Sequence, residues 1–413
     1  MTDENENINS CTFCGTHKAV VEKLIVSKGV AICNECVDLC QTLIDEKEPG
    51  TVDETDTDTE TKFDPENIKE YLDQYIIGQD RAKIVLSVAI ANHYKRINNP
   101  PKDIDIQKGN VLLLGPTGSG KTLLAKTAAK YLKLPFVVAD ATSLTEAGYV
   151  GDDVESMISM LINAAEGDVK LAERGIVFID EIDKIARKGE STSLTRDVSG
   201  EGVQQALLKL VEGTLCRIPQ SGGRKHPGGA MDEINTKDIL FIAGGAFVGL
   251  RDVITNRING TSIGFNASIS DHKLEGELKE VMPDDLTKYG MIPEFIGRFT
   301  TTVSIEELSK DELIKILTDV KNNYISQYTY LLGLDNIELT FTTEALELIA
   351  ERTQALKTGA RGLHSEVERV LMCHMFHTRT YRENNIIKLN IDAEQVLNPH
   401  PLYGKKGKTG IRQ

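Results

Sequence analysis

Two short runs in this sequence hold the residue types that phosphate chemistry needs. Gly115-Pro116-Thr117-Gly118-Ser119-Gly120-Lys121-Thr122 follows the apolar run Val111–Leu114 and precedes a helix-like run from Leu123 to Leu132. That is the strand–G-x-x-x-x-G-K-[ST]–helix context of a phosphate-binding loop. Glycines there let backbone N–H groups wrap phosphate oxygens, and the field of a helix N-terminus favours the anion. Lys121 is placed to reach the outer phosphates, and Thr122 to ligate Mg²⁺. Further along, Ile176–Ile179 reads as a buried strand that ends in Asp180 and Glu181. Side chains alternate along a strand, so the two acids are expected to point differently and take separate roles. Asp180 would hold Mg²⁺, directly or through water, and Glu181 would polarise the attacking water. An Asp-Glu pair after an apolar strand says little alone; downstream of a phosphate loop it means nucleotide hydrolysis.

A second kind of chemistry sits near the N-terminus. Cys11-Thr-Phe-Cys14 and Cys33-Asn-Glu-Cys36 are two C-x-x-C knuckles separated by residues 15–32. Four thiolates at this spacing suit a closed, structural, tetrahedral zinc site. So small a unit lacks a sufficient core, and metal ligation would supply its folding energy. The intervening LIVSKGVAI reads as a hairpin turning at Ser27-Lys28-Gly29. Beyond it, Val37, Cys40, Leu43 and Ile44 form an apolar stripe at helical spacing, which serves internal packing or a partner surface equally well. Cys40, Cys216 and Cys373 are scattered and read as small buried hydrophobes.

Two arginines complete the candidate set. Arg298 ends Ile292-Pro-Glu-Phe-Ile-Gly-Arg298, where Pro293 suits the first turn of a short helix. Arg361 lies in Gly359-Ala-Arg361-Gly362, where a helix begins. A cation there opposes the helix dipole unless an anion shares the site. Taken singly, either arginine fits surface salt bridging as well.

The elements that must position these groups follow from composition. The 413 residues carry a formal charge of −15, with 40% hydrophobic and 26% charged residues. That is an ordinary globular composition with room for several folding units, and its acidity disfavours general nucleic-acid coating. Apolar runs are strand-sized and too short to span a bilayer. The first Lys or Arg is Lys18, so a secretory or mitochondrial leader is not expected and the location expected is cytoplasmic. Residues 8–45 form the cysteine unit, and 46–62 (EKEPGTVDETDTDTETK) form an acidic linker too poor in apolar side chains to fold. Residues 63–305 alternate strand-like and helix-like runs, an α/β pattern with a mostly parallel sheet. Residues 306–396 form a smaller, mainly helical domain, and 397–413 a tail. In the small domain Asp311–Leu332, Thr343–Leu356 and Gly362–Thr378 read as helices, and Ile386–Ile391 as one strand.

These motifs together resemble the AAA+ ATPases, and within them the ClpX branch of the HSP100/Clp family. The resemblance runs through Tyr75-Ile-Ile-Gly-Gln79, residues 139–152 (ADATSLTEAGYVGD), residues 195–213 (TRDVSGEGVQQALLKLVEG), Gly222-Gly-Arg-Lys-His-Pro227 and 292–298, and the cysteine unit matches that family's zinc domain. It covers nearly the whole chain. It implies a ring hexamer whose large domains carry a parallel sheet, in which Arg298 is the arginine finger reaching a neighbour's nucleotide and Arg361 is the sensor-2 arginine of its own subunit. Ile77, Gly78 and Gln79 would lie against the adenine, and Leu123 would follow the phosphate loop.

The resemblance also gives three loops a meaning. Tyr149-Val150 would grip an extended polypeptide in the axial channel, with Arg196 in a second pore loop. Arg224, Lys225 and His226 would ring the pore mouth. Ile263-Gly264-Phe265 would dock into clefts of a ClpP-type peptidase. The implied activity is ATP-dependent unfolding and threading of tagged or unfolded proteins, with ATP, Mg²⁺ and Zn²⁺ as cofactors, adaptors or dimerisation at the zinc domain, and neither nucleic acid nor membrane as partner. His226, His364 and His374 have no Ser or Cys in a recognisable arrangement, so peptide hydrolysis would belong to the partner. Two rival readings are a remodelling chaperone working without a peptidase and a DNA-directed AAA+ motor. The sequence departs from the family pattern in two places. Residues 228–236 (GGAMDEINT) put Asn235 where an Asp-Thr pair is expected. Gly244-Gly245 stands where many AAA+ proteins place a polar sensor, although the ClpX branch looks the same there.

Overall fold

The computed structural model describes residues 9–27, 29–45, 62–100, 103–104, 106–145, 152–187, 200–219, 231–260 and 277–399. Tyr149, Val150, Arg196, Arg224, Lys225, His226 and Ile263-Gly264-Phe265 lie outside these residues, as do most of the acidic segment and the last residues of the chain. The chain divides into two compact units, Met1–Thr59 and Glu60–Gln413.

In the first unit Leu24–Ser27 and Val30–Cys33 pair antiparallel with Ser27 opposite Val30, so the hairpin turns where expected. The helix Asn34–Asp45 starts directly after Cys33, which places the second knuckle across the end of a strand and the first turn of a helix. The buried cluster consists of Cys11, Cys33 and Cys36, with Val21, Leu24 and Ile32 packed against it. Its interior is mostly sulfur. Val37, the first residue of the apolar stripe, is exposed and Cys40 is half-buried.

The second unit is organised by a five-stranded sheet in the order Thr301–Ser304, Val111–Leu114, Leu240–Gly245, Ile176–Asp180, Phe136–Asp140, with every neighbouring pair parallel. Parallel strands need crossovers that cover both faces, and they therefore read as continuous apolar runs. Alternate side chains obey the period of two. Val111, Leu113, Ile176, Phe178, Leu240 and Ile242 enter one core with the helices Pro65–Asp73, Asp80–Asn98 and Lys121–Leu132. Leu112, Leu114, Val177, Ile179, Phe241 and Ala243 enter the other with Ser156–Ala164 and Glu201–Glu212. The C-terminal ends of the three central strands lead to Gly115, Glu181 and Ala246, so the glycine-rich loop and the Asp180-Glu181 pair meet at the C-terminal end of the sheet, where open α/β sheets bind ligands.

The remaining residues form a helical core around Leu313, Leu317, Ile349, Leu363, Val367 and Leu371. Two expectations are corrected there. Asp311–Leu332 is not one helix but two, Lys310–Thr318 and Tyr324–Gly333. Asn322 takes a left-handed φ of +59°, and the Asn323 side chain accepts the Ser326 N–H to cap the second helix, the role that asparagine prefers to a helix interior. The strand near residue 390 is not alone. Lys388–Ile391 pairs in parallel with Glu338–Phe341, a run too short and too mixed in polarity to stand out. Among the described residues no helix is long and apolar enough to cross a membrane.

Candidate functional site

The helix Lys121–Leu132 begins at Gly120 with no side-chain cap and no acid in its first turn. Its first N–H groups are therefore free for an anion. The Lys121 ammonium folds back onto the loop, donating to the carbonyls of Gly115 at 2.7 Å and Pro116 at 2.8 Å, while Ser119 Oγ donates to Pro116 O. Burial holds the Lys121 amine below its ordinary range, with the carboxylates of Asp180 and Asp183 pulling the other way.

Thr122 Oγ1 donates to Asp180 Oδ2 at 3.0 Å. Neighbouring ligands of an octahedral Mg²⁺, each about 2.1 Å from the ion, stand about 3 Å apart, so this oxygen pair fits such an ion. Asp180 Oδ1 accepts the Glu181 N–H at 3.0 Å, and Glu181 itself has a left-handed φ of +54°. Glu181 thus sits in a turn after the strand end, so alternation along a strand does not relate the two acids, and both line one cleft. A non-glycine residue held there costs of order 1 kcal/mol or more, a strain typical of functional positions.

Arg361 is the second residue of the helix Ala360–Phe376, which has no acid in its first turn. It lines the same cleft of about 390 Å³ as Thr117, Gly118, Gly120, Lys121, Thr122, Leu123, Asp180 and Glu181. The helix is seated directly on the phosphate loop, with the Ala360 N–H donating to Gly118 O at 3.0 Å. Both backbone segments are bare there: a Cβ on Gly118 would stand 2.2 Å from Thr358 O, and one on Gly359 would stand 2.7 Å from Gly118 O.

The other expected residues stand apart from that cleft. Arg298 pairs with Glu212 at 2.6 Å on a half-exposed surface. Ile77, Gly78 and Gln79 are half-buried, and none is among the residues that line the cleft. The Gln79 amide instead makes two hydrogen bonds to the backbone of one residue, donating to Glu306 O at 2.9 Å and accepting the Glu306 N–H at 3.0 Å. Five cleft residues escaped the sequence reading: Asp183, Lys184, Ala246, Val248 and Tyr324. Asp183 was visible as the third acid of Asp180-Glu181-Ile-Asp183, whereas Tyr324 belongs to no motif. Asn235 behaves as an aspartate would, its Oδ1 accepting the Lys237 N–H to cap a short turn.

In the first unit the sulfurs of Cys11, Cys14, Cys33 and Cys36 all lie within 4.8 Å of one another. Cys11 and Cys36 are 3.9 Å apart, and Cys14 and Cys33 are 3.7 Å apart. Tetrahedral zinc with bonds of about 2.3 Å spaces its sulfurs about 3.8 Å apart. Burial opposes the Cys11 thiolate, but N–H donors from Cys14, Cys33 and Phe13 outweigh it and bring the thiol to about 6. Cys36 is pushed up by Cys14 and by burial. Sulfurs so crowded cannot all ionise without a cation among them.

Three family models match the chain. Residues 9–46 match the ClpX C4-type zinc finger, 106–302 the AAA domain (Cdc48 subfamily), and 308–382 the C-terminal, D2-small domain of ClpB protein. The four-cysteine cluster is thus a zinc-binding site, and the cleft belongs to an ATPase domain.

Proposed function

We propose that this chain, which belongs to the ClpX-like AAA+ proteins of the Clp/HSP100 family, is an ATP-driven unfoldase that threads polypeptide through a homohexameric pore into a ClpP-type peptidase. The observation that carries the proposal is the seating of Arg361 and its helix on the phosphate loop. Groups that bind and hydrolyse the nucleotide come from the sheet and from the helical domain alike, so hydrolysis changes the relation between the two.

Lys121 and the loop N–H groups hold the phosphates. Thr122 and Asp180 would hold Mg²⁺, which neutralises phosphate charge. Glu181 orients and deprotonates the attacking water, and Arg361 withdraws charge from the outer phosphate. Arg298 is half-exposed and away from its own cleft, as suits a finger that serves the neighbouring subunit's nucleotide. Ile77, Gly78 and Gln79 border the adenine from the junction with the helical domain. Tyr149 and Val150, with Arg196, grip the substrate; Arg224, Lys225 and His226 receive acidic chain ends; Ile263-Gly264-Phe265 dock the peptidase.

The test is degradation of a tagged, folded protein by this chain with ATP and a ClpP-type peptidase. Deleting residues 263–265 should abolish degradation while leaving ATP-dependent unfolding within about twofold. Unfolding without any peptidase association would establish the remodelling chaperone instead, and ATPase stimulation by DNA rather than by unfolded polypeptide would establish the DNA motor.

A further inference from the structure

Where many AAA+ proteins carry a polar sensor, this chain has Gly244-Gly245, and the structure gives that space another occupant. Asp183, in the 3-10 turn Ile182–Ile185, is only 5% exposed. Its Oδ1 accepts the Ala246 N–H at 3.1 Å, directly after the strand Leu240–Gly245. A Cβ on Gly245 would stand 2.7 Å from that same Oδ1 and 2.6 Å from the Phe247 ring. The missing side chain is therefore what admits the carboxylate. Its other oxygen, Oδ2, has the Lys184 ammonium at 3.7 Å, and both residues line the cleft.

The contact has consequences on both sides. Gly245 O accepts the N–H of Gly115, the first residue of the phosphate loop, at 3.1 Å, and the turn that holds Asp183 is closed by the Lys184 N–H donating to Glu181 O at 2.9 Å. One carboxylate thus connects the strained turn of Glu181 to the strand end that holds the loop. Its charge also reaches the Lys121 ammonium and helps keep it protonated against burial.

We propose that Asp183 is a positioning residue for ATP hydrolysis, standing in for the absent polar sensor by fixing the end of the central strand against the turn that carries Glu181. This rests on the ATPase reading of the cleft. Its contribution comes from accepting the hydrogen bond of the partly buried Ala246 N–H, which ties the strand end to the turn.

The test compares Asp183→Ala, Asp183→Asn and Gly245→Ala with the unmodified full chain, measuring kcat, KM and the affinity for a fluorescent ATP analogue. Asp183→Ala should lower kcat at least tenfold with KM and analogue affinity within about threefold. Asp183→Asn retains an acceptor oxygen and should recover most of the loss. Gly245→Ala displaces the carboxylate from outside and should reproduce the kcat loss, which keeps the test decisive if Asp183→Ala does not fold. Normal kcat in Asp183→Ala or in Gly245→Ala overturns the proposal. So does an affinity loss as large as the kcat loss, or an Asp183→Asn variant as slow as Asp183→Ala. Absence of hydrolysis by the unmodified chain would overturn the ATPase reading itself, a result distinguishable from all of these.

Discussion

Glu181 occupies a backbone conformation that an L-residue adopts reluctantly, with its N–H already committed to Asp180. The Lys121 ammonium bonds the carbonyls of Gly115 and Pro116 and feels the Glu181 carboxylate only as the weakest of several charges, so binding and chemistry should largely separate on substitution. Glu181→Gln is expected to keep ATP affinity within about threefold while slowing hydrolysis at least 10²-fold, the range for loss of a positioned base. Equilibrium titration against single-turnover hydrolysis checks this, and a parallel loss of affinity would make Glu181 structural. At this scale the sequence was most legible where chemistry is contiguous. The loop from Gly115 to Thr122 and the Asp180-Glu181 pair each lie within a few residues, so local pattern carries them. Tyr324 was missed for a physical reason, since a half-buried tyrosine outside any motif looks like packing until the fold brings it to the cleft, whereas Asp183 stood in view beside the Asp180-Glu181 pair.

Among the elements, the start of the helix Ala360–Phe376 is the most constrained. Gly359 has φ +59° and ψ −156°, a region essentially closed to residues with a Cβ. Gly359→Ala should cost about 1–3 kcal/mol from backbone strain alone and, by pushing against Gly118, should lift Arg361 from the cleft. A lowered urea midpoint together with reduced hydrolysis checks this; an unchanged midpoint would show that the seat is loose. Helices announced themselves by apolar periodicity, but the break at Asn322-Asn323 did not. Tyr324, Tyr328 and Leu332 continue the apolar spacing of the preceding helix, and the pattern hides a turn whose signal is only two polar residues. Glu338–Phe341 was hidden for the converse reason, since a strand with one partner needs just one buried residue, Leu339, to hold it.

For the molecule as a whole, each unit draws its stability from a different source. The larger one buries two apolar layers against a sheet, whereas the smaller one buries chiefly cysteines. Cys14→Ser, or a strong chelator, should therefore unfold residues 9–45 and leave basal ATPase within about twofold. Zinc content, proteolysis of the first unit and steady-state hydrolysis together test this. Loss of basal ATPase would mean that the two units depend on each other. Both sources could be read from composition alone, because two C-x-x-C pairs and runs such as IVFI and LFIA each point to one way of excluding water.

The pair of hydrogen bonds from Gln79 to Glu306 joins points 227 residues apart. Because both bonds are made to the backbone N–H and C=O of residue 306, the joint is blind to which side chain that residue carries. Position 306 can drift over generations to almost any amino acid without loosening the join, save proline, which has no N–H to offer. Position 79 has no such freedom, since a shorter or differently shaped side chain cannot both give and accept at that reach. One end of the joint is thus open to neutral change and the other is closed to it.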